Sequence, residues 1–293
     1  MVIKINYNIV AVVLGVLFCF CFFFAEYVTD SVKTKAVVGE MQIELPVLMY
    51  HHILENKNRL GDYVISPAQL ESDLKFIKEH NFNTISTAQL SAFLQDGDAL
   101  PSNPIMITFD DGYESVYKYA YPLLQKYQMK AVVSIIGRYT DLYSDPKTPK
   151  HINYSHLNWT QLEEMKNSTT FDVQNHSYNM HANDKKKSRY GIRIIPGESE
   201  QHYKESLVDD IGGLSDKIED KLHIRPQAFA YPFGALCKQS KPILTQLGFK
   251  IIFTCEEKIN IIKPCSECPV PIKRINRASK YSTEAYFSKF KIK

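Results

Sequence analysis

Apolar and polar positions along the chain follow two alternating rhythms. Short runs rich in β-branched and aromatic residues, at 45–50, 104–109, 131–136, 171–174, 228–231 and 251–254, have the length of buried strands. Between them lie segments whose apolar residues recur every three or four positions, as on a helix with one buried face. Ser66-Pro67 supplies an N-cap and a proline at the first helical position, and Leu70, Leu74 and Ile77 then share a face. This predicts a helix of about four turns closing near His80-Asn81. Further helices are predicted over 87–95, 114–127, 160–165, 200–222 and 241–247, with a short strand at Thr84-Ile85. Such alternation implies parallel strands with helices outside them. About seven units in roughly 250 residues fit a distorted (β/α) barrel, with any ligand site at the carboxyl ends of the strands. Long irregular stretches at 138–158 and 182–198 are placed to line or cover that end.

The first thirty residues break the pattern. Lys4 precedes an uncharged apolar run over 9–25. At about 17 residues the run is near the lower limit for a membrane span and longer than most signal-peptide cores. The following Ala25-Glu26-Tyr27-Val28-Thr29-Asp30 offers no small-x-small cleavage site, and Phe18 and Phe20 before Cys19 and Cys21 do not fit lipid attachment. The expectation is an uncleaved membrane anchor, with a cleaved signal as the alternative. Lys4 on the short side leaves the rest outside the cytoplasm. Residues 1–30 are therefore read as anchor or signal, 31–44 as a polar linker, and 45–293 as one domain, because no composition break divides it.

A 44% hydrophobic fraction is enough for a sizeable core, and a net charge of +3 is too small to imply a nucleic-acid partner. Of six cysteines, Cys237, Cys255, Cys265 and Cys268 lie outside the apolar run. They are candidates for disulfides or free thiols. Cys265-x-x-Cys268 has the form of half a zinc knot, but no second Cys-x-x-Cys completes one.

Candidate chemistry centres on the strand over 104–109, which ends on Asp110-Asp111-Gly112. Two carboxylates at the carboxyl end of a core strand need a cation, unless they merely cap a turn. His176 and His181 follow the strand over 171–174 and so occupy the same end of the sheet. One carboxylate with two imidazoles suits a catalytic divalent metal, because three protein ligands leave positions open. Residues five apart do not share a helical face, so an irregular turn must bring the histidines together. Zinc is the leading candidate; cobalt, nickel, iron and manganese fit the same donor set.

Thr108-Phe109-Asp110-Asp111-Gly112, then His176-Ser177-x-x-x-His181, then Ala230-Tyr231-Pro232-Phe233-Gly234 resemble the motif series of the NodB-homology polysaccharide deacetylases, carbohydrate esterase family four. Tyr50-His51-His52-Ile53 resembles the extracellular poly-N-acetylglucosamine deacetylase subgroup. The resemblance implies Asp111, His176 and His181 as metal ligands, Asp110 as catalytic base and His51 as catalytic acid. It also implies the Phe233 backbone N–H as oxyanion donor, with Tyr231 and Pro232 as groove wall. His52 is the rival acid, since neighbours on a strand face opposite ways.

The third motif departs from the family, because its arginine, which pairs with the base, is replaced by Ala230. Arg225 and Arg274 are the candidate substitutes. No fourth motif with its Asp and Trp is evident, and Trp159 reads as a helix-start core residue. The run Lys185-Lys186-Lys187-Ser188-Arg189 reads as a solvated loop, with contact to an anionic wall polymer as the alternative. Tyr113, Tyr139, Tyr143, Tyr154 and Tyr178 are candidates for stacking on sugar rings. The implied activity is metal-dependent N-deacetylation of an N-acetylglucosamine polysaccharide at the cell surface. Peptidoglycan is the alternative substrate, and an inactive wall carbohydrate-binding protein the alternative of another class.

Overall fold

The computed structural model describes residues 42–182, 189–265 and 267–289. The apolar run over 9–25, most of the proposed linker and Lys185 to Ser188 lie outside the described residues. Among the described residues, no helix is long and apolar enough to cross a membrane. The folded unit begins at Ile43. The expected linker over 31–44 therefore ends too late. Ile43–Leu45 is already a strand, paired antiparallel with Asn260–Ile262.

Parallel strands form the centre: β1 Val47–Tyr50, β2 Pro104–Phe109, β3 Ala131–Ile135, β4 Phe171–Asn175, β5 Ala228–Ala230 and β6 Ile251–Phe253. They pair in the order β6, β5, β4, β3, β2, β1. The remaining side is filled by one bent segment. Its first part, Val270–Ile272, pairs with β6, and its second, Ile275–Asn276, pairs with β1. Both free edges of the sheet thus meet the same stretch of chain, which gives the curled (β/α) barrel expected from the sequence.

Alternation along β2 sorts the core. Ile105, Ile107 and Phe109 pack outward with Leu70, Leu74 and Ile77 of the helix Pro67–Glu79. Met106 packs inward with Val47, Val132, Ala228, Ala230 and Phe253. All these side chains are essentially inaccessible, and each large one stabilises the fold by about 1.5–3 kcal/mol relative to exposure. The inward parity continues through Thr108 to Asp110, so the core alternation itself aims the first carboxylate into the barrel.

Helix starts follow local chemistry. Ser66 with Gln69, Ser86 with Gln89 and Asn158 with Gln161 each form a reciprocal capping box. Several expected elements differ. The helix expected over 114–127 begins as a π-helical turn, Val116–Ala120, before Tyr121–Tyr127. The amphipathic stretch over 200–222 is two helices, Glu200–Leu207 and Gly213–Leu222, joined by a second π turn, Val208–Gly212. The stretch over 138–158 is not all irregular, since it contains the helix Gly137–Ser144. Trp159 opens the helix Trp159–Asn167, and its indole donates to Asp141. Cys237, Cys255, Cys265 and Cys268 are all free thiols.

Candidate metal centre and active-site cleft

The carboxyl ends of β1, β2, β4, β5 and β6 surround a cleft of about 430 Å³. It is lined by His51, Asp110, Asp111, His176, His181 and Phe233 among others. In three of the loops a non-glycine residue adopts the left-handed region: Asp111 at φ 69°, Ser177 at 73° and Phe233 at 58°. Such residues cost on the order of 1 kcal/mol or more and persist where surrounding contacts over-determine them. Gly112 and Gly234 continue the turns at φ 68° and 61°. A Cβ on Gly234 would lie 2.7 Å from that of Cys255.

Asp111, His176 and His181 are brought together. Asp111 Oδ1 lies 3.4 Å from His176 Nε2 and 3.2 Å from His181 Nε2, and the three ligand atoms all fall within 4.8 Å of one another. Tetrahedral ligands at zinc bond lengths stand about 3.4 Å apart. His176 Nδ1 lies 2.8 Å from the Ala230 carbonyl and donates to it, so the Nε2 lone pair faces the cleft. Asp111 Oδ1 is buried and makes no aligned hydrogen bond despite its two close imidazoles. Electron-rich atoms converging in this way call for a cation between them, and the set fits a divalent metal. Burial raises the Asp111 pKa, but His176 and His181 outweigh it and hold the carboxyl well below the ordinary value. Burial opposes charge on His176, while Asp111 and Asp110 raise its pKa overall.

Asp110 does not join this group. Arg274 clamps it with two hydrogen bonds, Nη1 to Oδ1 and Nη2 to Oδ2, each 2.7 Å. Both side chains are buried. Arg274 sits at the bend between Val270–Ile272 and Ile275–Asn276, and its Nε donates to the Thr254 carbonyl at 3.1 Å. Burial raises the Asp110 pKa, but Arg274, followed by His176 and His51, brings it below the usual value. The arginine missing at Ala230 is thus supplied from across the barrel. Arg225, the other candidate, pairs with Asp216 and Glu219 on a helix surface instead.

His51 and His52 separate clearly. His51 Nδ1 is buried without a hydrogen-bond partner, and its ring meets Tyr63 edge-on at 4.9 Å. Burial depresses its pKa, opposed by the nearby Asp111 and Asp110. His52 also borders the cleft, but its nitrogens are engaged by Ser115 Oγ at 2.7 Å and the Asn153 carbonyl at 3.2 Å. Its ring stacks on Tyr113 at 4.1 Å. The expectation that only one histidine would reach the cleft therefore needs correction, because His52 forms wall while His51 carries the unpartnered nitrogen.

Phe233 packs on His181 at 4.3 Å and on Tyr190 at 5.1 Å. Pro232 is buried in the same turn, and the Tyr231 hydroxyl bonds Ser240 Oγ at 2.5 Å. Among the tyrosines singled out from the sequence, Tyr113 reaches the cleft. Tyr139 and Tyr143 stack on His156, while the Tyr178 hydroxyl bonds Asp141. Of the basic run, Arg189 is described, and it pairs with Glu198. Sequence reasoning missed Tyr63, Tyr190 and Cys255 in the lining and Ser115 behind His52. No periodicity marks them, because each lies in a loop or at an element end.

Residues 97–252 match the family model described as polysaccharide deacetylase. The chain is 24% identical over 215 residues to the poly-beta-1,6-N-acetyl-D-glucosamine N-deacetylase of Escherichia coli K12, covering 66% of this chain and 31% of that protein. It is 22% identical over 207 residues to the enzyme of the same name from Staphylococcus aureus MRSA252, covering 71% and 66% respectively. The chain thus spans less than two thirds of the first relative and just under two thirds of the second. Among solved structures, IcaB from Ammonifex degensii aligns with a TM-score of 0.67 at 25% identity, over 80% of this chain and 92% of that one. The Streptococcus pyogenes deacetylase PplD aligns with a TM-score of 0.68 at 21% identity, over 85% and 99%.

Proposed function

From the premise that this chain belongs to the polysaccharide deacetylase family, we propose that it hydrolyses N-acetyl groups from N-acetylglucosamine residues of a polysaccharide, with one divalent metal ion as cofactor. The observation that carries this is the convergence of Asp111, His176 and His181 beside a separate carboxylate, Asp110, which Arg274 keeps ionised.

An N-acetyl amide is a weak electrophile with a poor leaving group, so its hydrolysis needs an activated water, a stabilised oxyanion and a proton for the amine. Asp111, His176 and His181 would hold the ion, which supplies a charge that lowers the pKa of water and polarises the acetyl carbonyl. Asp110 is available as the base, since its charged form is held by the guanidinium and its position is fixed by two bonds. His51, with a buried nitrogen committed to no other partner, delivers the proton to the departing amine. The Phe233 backbone N–H donates to the oxyanion from the left-handed turn after β5, and Tyr231 walls the groove, while Pro232, expected beside it, is buried in the turn and outside the cleft lining.

The names of the similar enzymes support a β-1,6-linked N-acetylglucosamine polymer as substrate. We place the catalytic unit outside the cytoplasm, held at the membrane by the apolar run over 9–25, a reading supported by the length of that run and by Lys4.

The test uses the full-length chain loaded with zinc or cobalt. It should release acetate from poly-N-acetylglucosamine faster than from peptidoglycan, and a chelator should abolish the release. Faster release from peptidoglycan would move the substrate assignment. Failure with both polymers and with chitin oligomers, while metal is bound, would overturn the enzymatic reading.

A further inference from the structure

The two imidazoles of the metal site belong to one loop, and that loop does not hold itself. His176 and His181 are five residues apart, and Ser177 between them is left-handed. The chain must reverse within four residues and still aim both Nε2 atoms at Asp111.

Four consecutive backbone N–H groups in this turn donate to side-chain oxygens. Ser177 donates to Asn175 Oδ1 at 2.8 Å, Tyr178 to Asp210 Oδ1 at 2.7 Å, Asn179 to Asp210 Oδ2 at 2.8 Å and Met180 to Ser177 Oγ at 3.2 Å. Two of the four acceptors, Asn175 Oδ1 and Ser177 Oγ, come from the loop or the residue before it, and the other two are the carboxylate oxygens of Asp210. Asp210 arrives from 31 and 32 residues away and is the charged member of the set. It lies in the π turn Val208–Gly212, where the extra residue per turn breaks the regular helical facing of the long amphipathic stretch. The opposite side of the loop is braced by the start of the helix Gly137–Ser144. There the Gly137 and Arg138 N–H groups donate to the Ser177 and Tyr178 carbonyls at 3.1 and 2.9 Å.

We infer that Asp210 is a positioning residue for the metal site: its carboxylate grips the two N–H groups at the apex of the loop and so fixes the separation and direction of His176 and His181. The π turn is the device that presents it. Asp210 touches neither the proposed ion nor substrate, and the inference rests on the reading of Asp111, His176 and His181 as metal ligands. Partners one shell away from a ligand typically account for about 10–100-fold in metal affinity.

The experiment titrates zinc into the chelator-stripped, full-length protein by calorimetry and records the visible spectrum of the cobalt form. Asp210→Ala should weaken zinc binding by about 10–100-fold and change the cobalt bands. Asp210→Asn, which retains one carbonyl acceptor, should fall between it and the wild type, and it carries the test if the alanine variant does not fold. The control is Asp172→Ala, because Asp172 also accepts two bonds, from the Thr87 N–H and hydroxyl at 2.8 and 2.9 Å, but holds a helix start. It should lower the Tm and leave zinc affinity unchanged. Equal zinc affinity in wild type and Asp210→Ala would overturn the inference alone, as would an equal loss in Asp172→Ala. Absence of zinc binding in the wild type would overturn the metal-site reading and the inference with it.

Discussion

Replacing Arg274 with methionine probes the buried ion pair that fixes Asp110 in the cleft. Methionine keeps much of the apolar stem and removes the guanidinium, leaving Asp110 buried with both 2.7 Å bonds gone. Breaking a buried pair by deleting one partner costs about 3–5 kcal/mol, a large share of the roughly 5–15 kcal/mol that holds a domain folded. Asp110→Asn strands Arg274 instead, although the Thr254 carbonyl still accepts from its Nε. In the double variant neither charge is orphaned. Its cost should therefore fall below the sum of the single variants by at least about 1.5 kcal/mol, a coupling within the range for residues in direct contact. Urea unfolding at pH 7 in chelator isolates the pair from metal binding.

The pH dependence has a definite sign. In the wild type, burial pushes the Asp110 pKa up and Arg274 more than offsets it. Its contribution is thus present above the unfolded carboxyl pKa and lost as pH falls through the lower folded value. In Arg274→Met, burial is unopposed by the guanidinium and the folded pKa rises, so protonation relieves the orphaned charge. The variant's deficit should be largest near pH 7 and shrink toward pH 5. The acid limb of its acetate-release profile should move to higher pH. A coupling below about 0.5 kcal/mol, within the additivity expected of independent sites, would refute this reasoning, as would a deficit unchanged between pH 7 and pH 5.

His51→Ala should lower kcat by about 10²–10⁴-fold with zinc affinity unchanged, as for loss of a general acid. His52→Ala should chiefly lower the Tm through its bonds to Ser115 and Asn153; a larger kcat loss in His52→Ala would exchange their roles. Gly234→Ala places a Cβ 2.7 Å from Cys255 Cβ at φ 61°, and should destabilise by about 1–3 kcal/mol in denaturant titration. The Glu198 carboxyl is held down at about 2 by Arg189 against burial, with help from the Ile195 N–H and His202. Its contribution should persist above pH 4.5 and fade as pH drops toward 2. Amide exchange over residues 189–198 should therefore be slow at pH 5 in the wild type and faster at that pH in Glu198→Gln.

The amino-acid sequence by itself determined the six central strands and most of the helices between them. The unbroken apolar run over 104–109, buried along its whole length, and capping residues such as Ser66 act within a few positions, where pattern and structure are directly coupled. The same locality made Asp110, Asp111, His176 and His181 legible, since Asp110 and His176 follow directly on strands and Asp111 and His181 lie in the loops that continue from them, at one end of the barrel. Pairings across the sheet were not legible. Arg274 reaches Asp110 over 164 residues because a bent segment joins the two edges of the barrel, and no local rhythm records where a ring will close. The division between His51 and His52 likewise depended on Ser115 and Asn153, which arrive from a helix start and a loop elsewhere in the chain. The π turn that delivers Asp210 to the histidine loop interrupts a stretch whose apolar spacing reads as continuous helix. Periodicity reports which face of an element is buried, whereas the partner of a buried charge is chosen by packing between elements distant in the chain.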